Sequence, residues 1–243
     1  MFKVIFCGLL LSFLPFSSKQ ASQTASPGTT CISLGKMCSP ALNFKRHNLS
    51  KAYYPFDFIE TPFDGICMLL TNKFNSFLDK KLLYTKSSFQ SWEKPTHTSN
   101  STALAIVENQ ITKCIFYHDF KGSNLDNYDT VAAKYQRRIE RFYKTIQEAK
   151  HIFFFRTHLT KTEAATLYQL LKKLFPQKSF SLIAPTKTEH MQQPWNLPGV
   201  QEFPLLVKKV RRFPFLTRTV VESTREHGRD EDWDFIFRSL KLI

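Results

Sequence analysis

The sequence predicts an α/β fold: a mostly parallel sheet with flanking helices, a hairpin and a helical insertion. Three observations carry that expectation. First, His151 to Phe155 reads as a buried-type strand and Phe180 to Ala184 as another, with a helix between them. A strand, a crossover helix and a second strand imply parallel pairing in a sheet covered on both faces. Second, Ala103 to Val107 and Ile111 to Tyr117 are apolar runs separated by Glu108-Asn109-Gln110, the pattern of a hairpin. Third, Tyr128, Val131, Tyr135, Ile139, Phe142, Ile146 and Ala149 recur at steps of three and four, which makes a long amphipathic helix.

The remaining elements follow in order. Cys31-Ile32-Ser33-Leu34 reads as a first strand, broken by Gly35. A helix then opens at Ser39-Pro40, with serine as N-cap and proline at the first helical position. Tyr53 to Ile59 is aromatic and punctuated by Pro55, so it cannot be one regular helix. Gly65 to Leu83 recovers helical apolar spacing. Thr160-x-x-Glu163 is a capping box ahead of Ala164, Leu167, Leu171 and Leu174, and Pro176 stops that helix. Asp232 to Leu242 predicts a short docking helix.

Three segments are expected along the chain: residues 1–16 as a signal peptide or anchor, 17–30 as a linker, and 31–243 as a single α/β domain. Lys3 followed by the apolar run Val4 to Phe16 has the length of a signal peptide. It falls short of the about 20 residues a membrane span needs. The expected location is therefore secreted or periplasmic, or anchored in a membrane through this segment. Cys7 lies inside the apolar run, so a lipoprotein anchor is not indicated.

Composition bounds function only loosely. The chain has 243 residues, enough to bury a real core, and a formal net charge of +14. That charge permits an anionic surface or ligand as partner. Basic residues cluster at Arg137-Arg138-x-x-Arg141 and Lys208-Lys209-x-Arg211-Arg212, but no specific nucleic-acid motif accompanies them. Cys31, Cys38, Cys67 and Cys114 show neither C-x-x-C spacing nor the density of a disulfide scaffold. Cysteine and histidine never pair at ligand spacing, so no metal and no cofactor is expected. Cys31 and Cys114 are expected as small apolar core residues in strands.

Chemistry is concentrated in two places. In Ser33-Leu34-Gly35-Lys36-Met37-Cys38-Ser39-Pro40 a thiol sits in the loop leaving a strand, directly before a helix N-terminus. Unpaired N–H groups and the helix dipole there favour the thiolate, the nucleophilic form. A buried structural cysteine is the alternative. The second place is Phe116-Tyr117-His118-Asp119-Phe120, at the end of a predicted strand. His118 is a candidate general base, with Asp119 or Asp57 to hold its ring. Asp119 is the sequence neighbour of His118, so strand alternation can point it the other way. A histidine satisfied by a backbone carbonyl is the alternative there.

Ile32-Ser33-Leu34-Gly35-x-x-Cys38, then Tyr54-Pro55-Phe56-Asp57-Phe58, then His118-Asp119-Phe120 resembles the family described as "putative papain-like cysteine peptidases". The resemblance continues through Tyr135-x-Arg137-Arg138-Ile139-x-Arg141-Phe142 and Phe154-Phe155-Arg156. Members usually have tryptophan after Pro-Phe-Asp, where this chain has Phe58. The resemblance implies a thiol hydrolase of peptide or amide bonds, with Cys38 as nucleophile, His118 as base, and Asp119 or Asp57 as orienter. Its partner would be a peptide or other small-molecule substrate. The Cys38 backbone N–H would be one oxyanion donor.

Two other readings stand beside it. The β-α-β unit suggests a nucleotide-binding type of sheet, whereas papain-like folds use a helical lobe and an antiparallel barrel. Arg156 closes its strand at the end where open α/β sheets bind ligands, and arginine suits phosphate or carboxylate. A glycosyltransferase-like or anionic-ligand-binding protein would use Arg156, with Ser33 and Gly35 as further candidate ligand-binding positions. No G-x-G-x-x-G or P-loop pattern accompanies them. The third reading is a non-catalytic envelope or host-interaction domain, which predicts an exposed apolar patch.

Overall fold

The computed structural model describes residues 28–50, 52–89, 104–187, 193–205 and 228–243. The apolar N-terminal run, the linker up to residue 27 and the basic cluster at 208–212 lie outside them. No described helix is long and apolar enough to cross a membrane.

The architecture is α/β, built on two four-stranded sheets. The first is wholly parallel, in the order β1 (Thr29–Ser33), β6 (His151–Phe155), β7 (Ser179–Lys187), β8 (Val200–Leu205). The second is antiparallel, in the order β2 (Ile59–Glu60), β5 (Ile115–Lys121), β4 (Leu104–Asn109), β3 (Leu83–Phe89). Five α-helices accompany them among the described residues: α1 (Ser39–Arg46), α2 (Phe63–Thr71), α3 (Tyr128–Glu148), α4 (Lys161–Leu174) and α5 (Asp230–Ser239). A parallel sheet of this kind is not the helical lobe and antiparallel barrel of the papain fold.

The parallel sheet is covered on both faces, as the β-α-β pattern requires. Successive strand residues point to opposite sides, and neighbours accordingly enter different cores. Ile32, Phe154 and Leu182 join the larger core with Phe116, Tyr135, Leu167 and Phe142. Cys31, Phe155 and Ile183 join a second core with Phe44 of α1 and Trp233 and Phe237 of α5. The capping box at the start of α4 is present in full: Glu163 N–H donates to Thr160 Oγ1 and Thr160 N–H donates to Glu163 Oε2. Two of its orphan donors are thereby satisfied.

The helix expected over 65–83 is shorter than its apolar spacing suggests. α2 ends at Thr71, and Lys73, Phe74 and Ser76 take positive φ of 55°, 62° and 67°. Phe74 and Phe77 are still buried, so turns meet the same apolar demand that a helix would. The hairpin is present, with its turn after Asn109 rather than centred on it. Cys114 lies in that turn, not in a strand, and is fully buried there.

Candidate active site

Cys38 stands at the junction of β1 and α1, and the loop before it is held from two sides. Gly35 has φ +76°, a conformation that L side chains rarely adopt. A Cβ there would lie 2.2 Å from Thr61 Oγ1. That closeness lets Thr61 Oγ1 accept the Lys36 backbone N–H at 3.0 Å. Ser33 closes the inner side, its Oγ accepting the Gly35 N–H at 3.2 Å. Ser33 and Gly35 therefore shape the loop from within.

Arg156 locks the same loop. Its Nη1 donates to the Leu34 carbonyl at 2.7 Å and its Nη2 to the Thr61 carbonyl at 2.8 Å. The side chain is 2% exposed, and burial lowers its pKa to about 10. These contacts tie Nη1 and Nη2 to the protein itself, whereas the buried Nε has no hydrogen-bond partner among the described residues. Nη1 also donates to Thr61 Oγ1 at 3.3 Å, so the end of β6 is fastened to both Leu34 and Thr61.

The helix starts one residue earlier than its sequence signals indicate. Cys38 is the N-cap, Ser39 the first helical residue, and the Leu42 N–H donates to the Cys38 carbonyl at 3.1 Å. The buried Ser39 Oγ has no hydrogen-bond partner among the described residues. Cys38 itself is half-buried and free. Burial pushes its thiol pKa up, outweighing a backbone hydrogen bond that lowers it. The expectation that the helix terminus favours the thiolate is thus reversed: desolvation of the charged form is the larger effect.

His118 occupies an irregular place in β5. Ala105 pairs with Phe120 and Val107 with Phe116, so Tyr117, His118 and Asp119 together oppose Ile106 alone. Bulges of this sort re-aim side chains and recur beside active sites. Here His118 is exposed while Asp119 and Phe120 both turn inward. The Asp119 carboxylate is held by Lys134 Nζ and, at 2.8 Å, by the Tyr135 hydroxyl, both on α3. Asn127 fastens the end of the strand, donating to the Asp119 carbonyl and accepting the Lys121 N–H, each at 2.8 Å.

Asp57, the second candidate orienter, lies in the turn before β2. Its Oδ2 accepts the Tyr54 N–H at 2.7 Å. Its Oδ1 is buried without a hydrogen-bond partner among the described residues. Burial raises this carboxyl to about 7, against the opposing pull of the Tyr54 N–H and of Arg138 and Arg141.

One carboxylate that sequence reasoning did not single out links the two candidate segments. Glu60 receives Lys36 Nζ on Oε1 at 3.2 Å and the Tyr117 hydroxyl on Oε2 at 2.8 Å. Lys36 is two residues from Cys38, and Tyr117 is next to His118. The thiol loop and the imidazole strand thus share an anchor in β2. Nothing local in the sequence marks Glu60, whose role depends on β2 pairing with β5 through Ile59–Phe116 and Glu60–Ile115. Among the described residues, no cluster of His, Cys, Asp and Glu could hold a metal ion.

No curated protein and no solved structure matches the chain. The profile of one protein family matches residues 29–184, a stretch that holds β1 with its Cys38 loop, the β5 bulge with His118, β6, α4 and the first part of β7. The chain belongs to that family, whose description reads "putative papain-like cysteine peptidase".

Proposed function

We propose that the protein is a thiol hydrolase of peptide or amide bonds, with Cys38 as nucleophile and His118 as base. The observation that carries the reading is the shared anchoring of their two segments on Glu60, through Lys36 and Tyr117. The family description points to the same chemistry.

Burial keeps the Cys38 thiol protonated at neutral pH. Proton removal then accompanies attack and does not precede it. His118 takes the Sγ proton as sulfur bonds to the carbonyl carbon. The C–N bond breaks and the amine leaves with that proton. Water, deprotonated by the same imidazole, cleaves the thioester, releasing the acid and restoring the thiol. The Cys38 backbone N–H serves as one oxyanion donor in both halves.

Neither carboxylate first considered as orienter is assigned to the ring. Asp119 is committed to Lys134 and Tyr135, and Asp57 holds the Tyr54 N–H through Oδ2, with Oδ1 buried. The substrate would be a peptide or small amide, met by a domain that its N-terminal segment exports or anchors.

The test is the pH dependence of Cys38 alkylation in the reduced protein, with and without His118→Ala, resolved by peptide mapping. The reading expects the wild-type rate at neutral pH to exceed that of His118→Ala by about tenfold or more. Equal rates in both proteins at every pH would overturn it.

A further inference from the structure

Basic residues of α3 gather on one flank of the helix: Lys134, Arg137, Arg138, Arg141 and Lys144. Steps of three and four residues set them in a single stripe, beside the face that buries Val131, Tyr135, Phe142 and Ile146. Two of them are answered by carboxylates of the fold. Lys134 holds the buried Asp119, and Lys144 lies 3.9 Å from Glu148. Arg137, Arg138 and Arg141 form no ion pair with a carboxylate among the described residues. Arg141 Nη1 donates instead to the Tyr53 carbonyl at 2.7 Å, and the Arg138 guanidinium lies 5.6 Å from the centre of the Tyr53 ring. Tyr53 shares a cavity wall with Lys45 of α1, which is exposed. The positive surface thus continues from α3 across Tyr53 to α1.

The spread of this charge and its neighbours indicate the partner. From Lys134 to Lys144 the stripe runs about 15 Å along the helix, a span that suits an extended anionic surface better than one small anion. Tyr53 is 37% exposed amid the cations. A ring with an apolar body and a polar tip is suited to the boundary between bilayer and water. The path of the chain points the same way. Lys150 N–H donates to the Gly28 carbonyl at 2.8 Å, so residue 28 lies beside the end of α3. The apolar run Val4 to Phe16, expected as a signal peptide or anchor, lies outside the described residues, and residues 17–27 separate it from Gly28. That separation spans at most about 38 Å. Were the run held in a bilayer, the end of α3 would stay within that distance of the lipid. A nucleic acid gains nothing from such a tether.

We propose that the basic flank of α3, with Tyr53 and Lys45, docks the domain on the surface of a bilayer that contains anionic lipid. Arg137 and Lys144 reach the headgroup phosphates from α3 and Lys45 from α1, while Tyr53 settles between headgroups. The interaction goes beyond the hydrolase reading and does not depend on it.

The test is the partitioning of the full chain, at about 0.15 M salt, onto vesicles of phosphatidylcholine alone and onto vesicles containing about one-third phosphatidylglycerol. The neutral vesicles register any insertion of the apolar run, so the ratio of the two partition coefficients isolates the effect of charge. Wild type is expected to favour the anionic vesicles by about a hundredfold or more. The triple variant Lys45→Gln, Arg137→Gln, Lys144→Gln is expected to lose about tenfold or more of that preference. A second triple variant, Lys161→Gln, Lys172→Gln, Lys173→Gln, removes the same charge from α4 and is expected to stay within about twofold of wild type. All six residues are exposed, so neither variant removes a buried contact. The proposal is overturned if wild type shows no preference for the anionic vesicles, or if the two variants lose it equally. Tighter binding to a DNA duplex at matched phosphate concentration, lost in the first variant, also overturns it by making nucleic acid the partner.

Discussion

Arg156 Nη1 donates to the carbonyl oxygen of Leu34 across 2.7 Å, tying the end of β6 to the loop that carries Cys38. Arginine is suited to such a place because its planar fork serves two carbonyls at once, here those of Leu34 and Thr61. Removing it strands both carbonyls. Arg156→Ala is expected to lower stability by about 3 kcal/mol, from two unpaired acceptors at about 1–3 kcal/mol each less the relief of a buried charge. Urea denaturation reads the loss. The freed loop should also expose Cys38, so alkylation under native conditions should speed up. A variant as stable as wild type, with an unchanged rate, would show that the tie holds nothing.

Gly35 predicts a second cost of the same loop. Gly35→Ala must hold a φ of +76° and fit a Cβ 2.2 Å from Thr61 Oγ1. The expected loss is about 2–3 kcal/mol. Because the clash involves Thr61, Gly35→Ala in a Thr61→Ala background should lose less than the sum of the two single changes. Strict additivity in a double-mutant cycle would count against the contact.

Asp57 makes stability depend on pH in an unusual direction. Its carboxyl is raised from an ordinary 3.8 to about 7 by burial. Around it stand the Tyr54 N–H and the charges of Arg138 and Arg141, which pull the other way. Between those two values the folded protein holds a proton that the unfolded chain releases. Stability is therefore greatest below about pH 4 in this respect, and is lost as pH rises through about 7. The contribution is on the order of 4 kcal/mol at most. Asp57→Asn keeps an acceptor for the Tyr54 N–H and should remove this component, flattening the profile of unfolding free energy across the window. An identical slope in both proteins would assign the dependence elsewhere.

The four described thiols should separate by reactivity. Burial pushes Cys31 and Cys114 up to about 12, and both are buried throughout. Cys38 and Cys67 are also raised, but they are only half-buried. Timed alkylation of the native protein should mark Cys38 and Cys67 first, and the other two only after unfolding. Early labelling of Cys31 would mean that the core around Phe155 opens readily.

What could be read from the chain beforehand follows the range of each interaction. The α4 capping box and the periodic face of α3 are set within a few residues, and both stand where the pattern puts them. The parallel β6-α4-β7 unit was legible for a similar reason, since its crossover is compact. The start of α1 was misplaced by one residue because Ser39, the better capping residue, turns its hydroxyl away from that task. β3 and β8 were not anticipated. β8 carries Pro204, which is tolerated at the edge of a sheet but obscures a strand pattern. In the site, Cys38 and His118 could be picked out as residue types in suggestive settings. Glu60 could not, because its partners Lys36 and Tyr117 lie 24 and 57 positions away. The bulge at His118 was equally invisible, being a property of β5 against β4.

Consecutive phenylalanines on β6 have a mechanical consequence. Phe154 and Phe155 are both fully buried, one in each core. The strand is thus a party wall: neither core can loosen without disturbing a ring rooted in the same backbone as its neighbour's. The layer of α1 and α5 and the layer of α3 and α4 are coupled through this wall and should melt as one cooperative unit, with the β6 amides among the last to exchange with solvent.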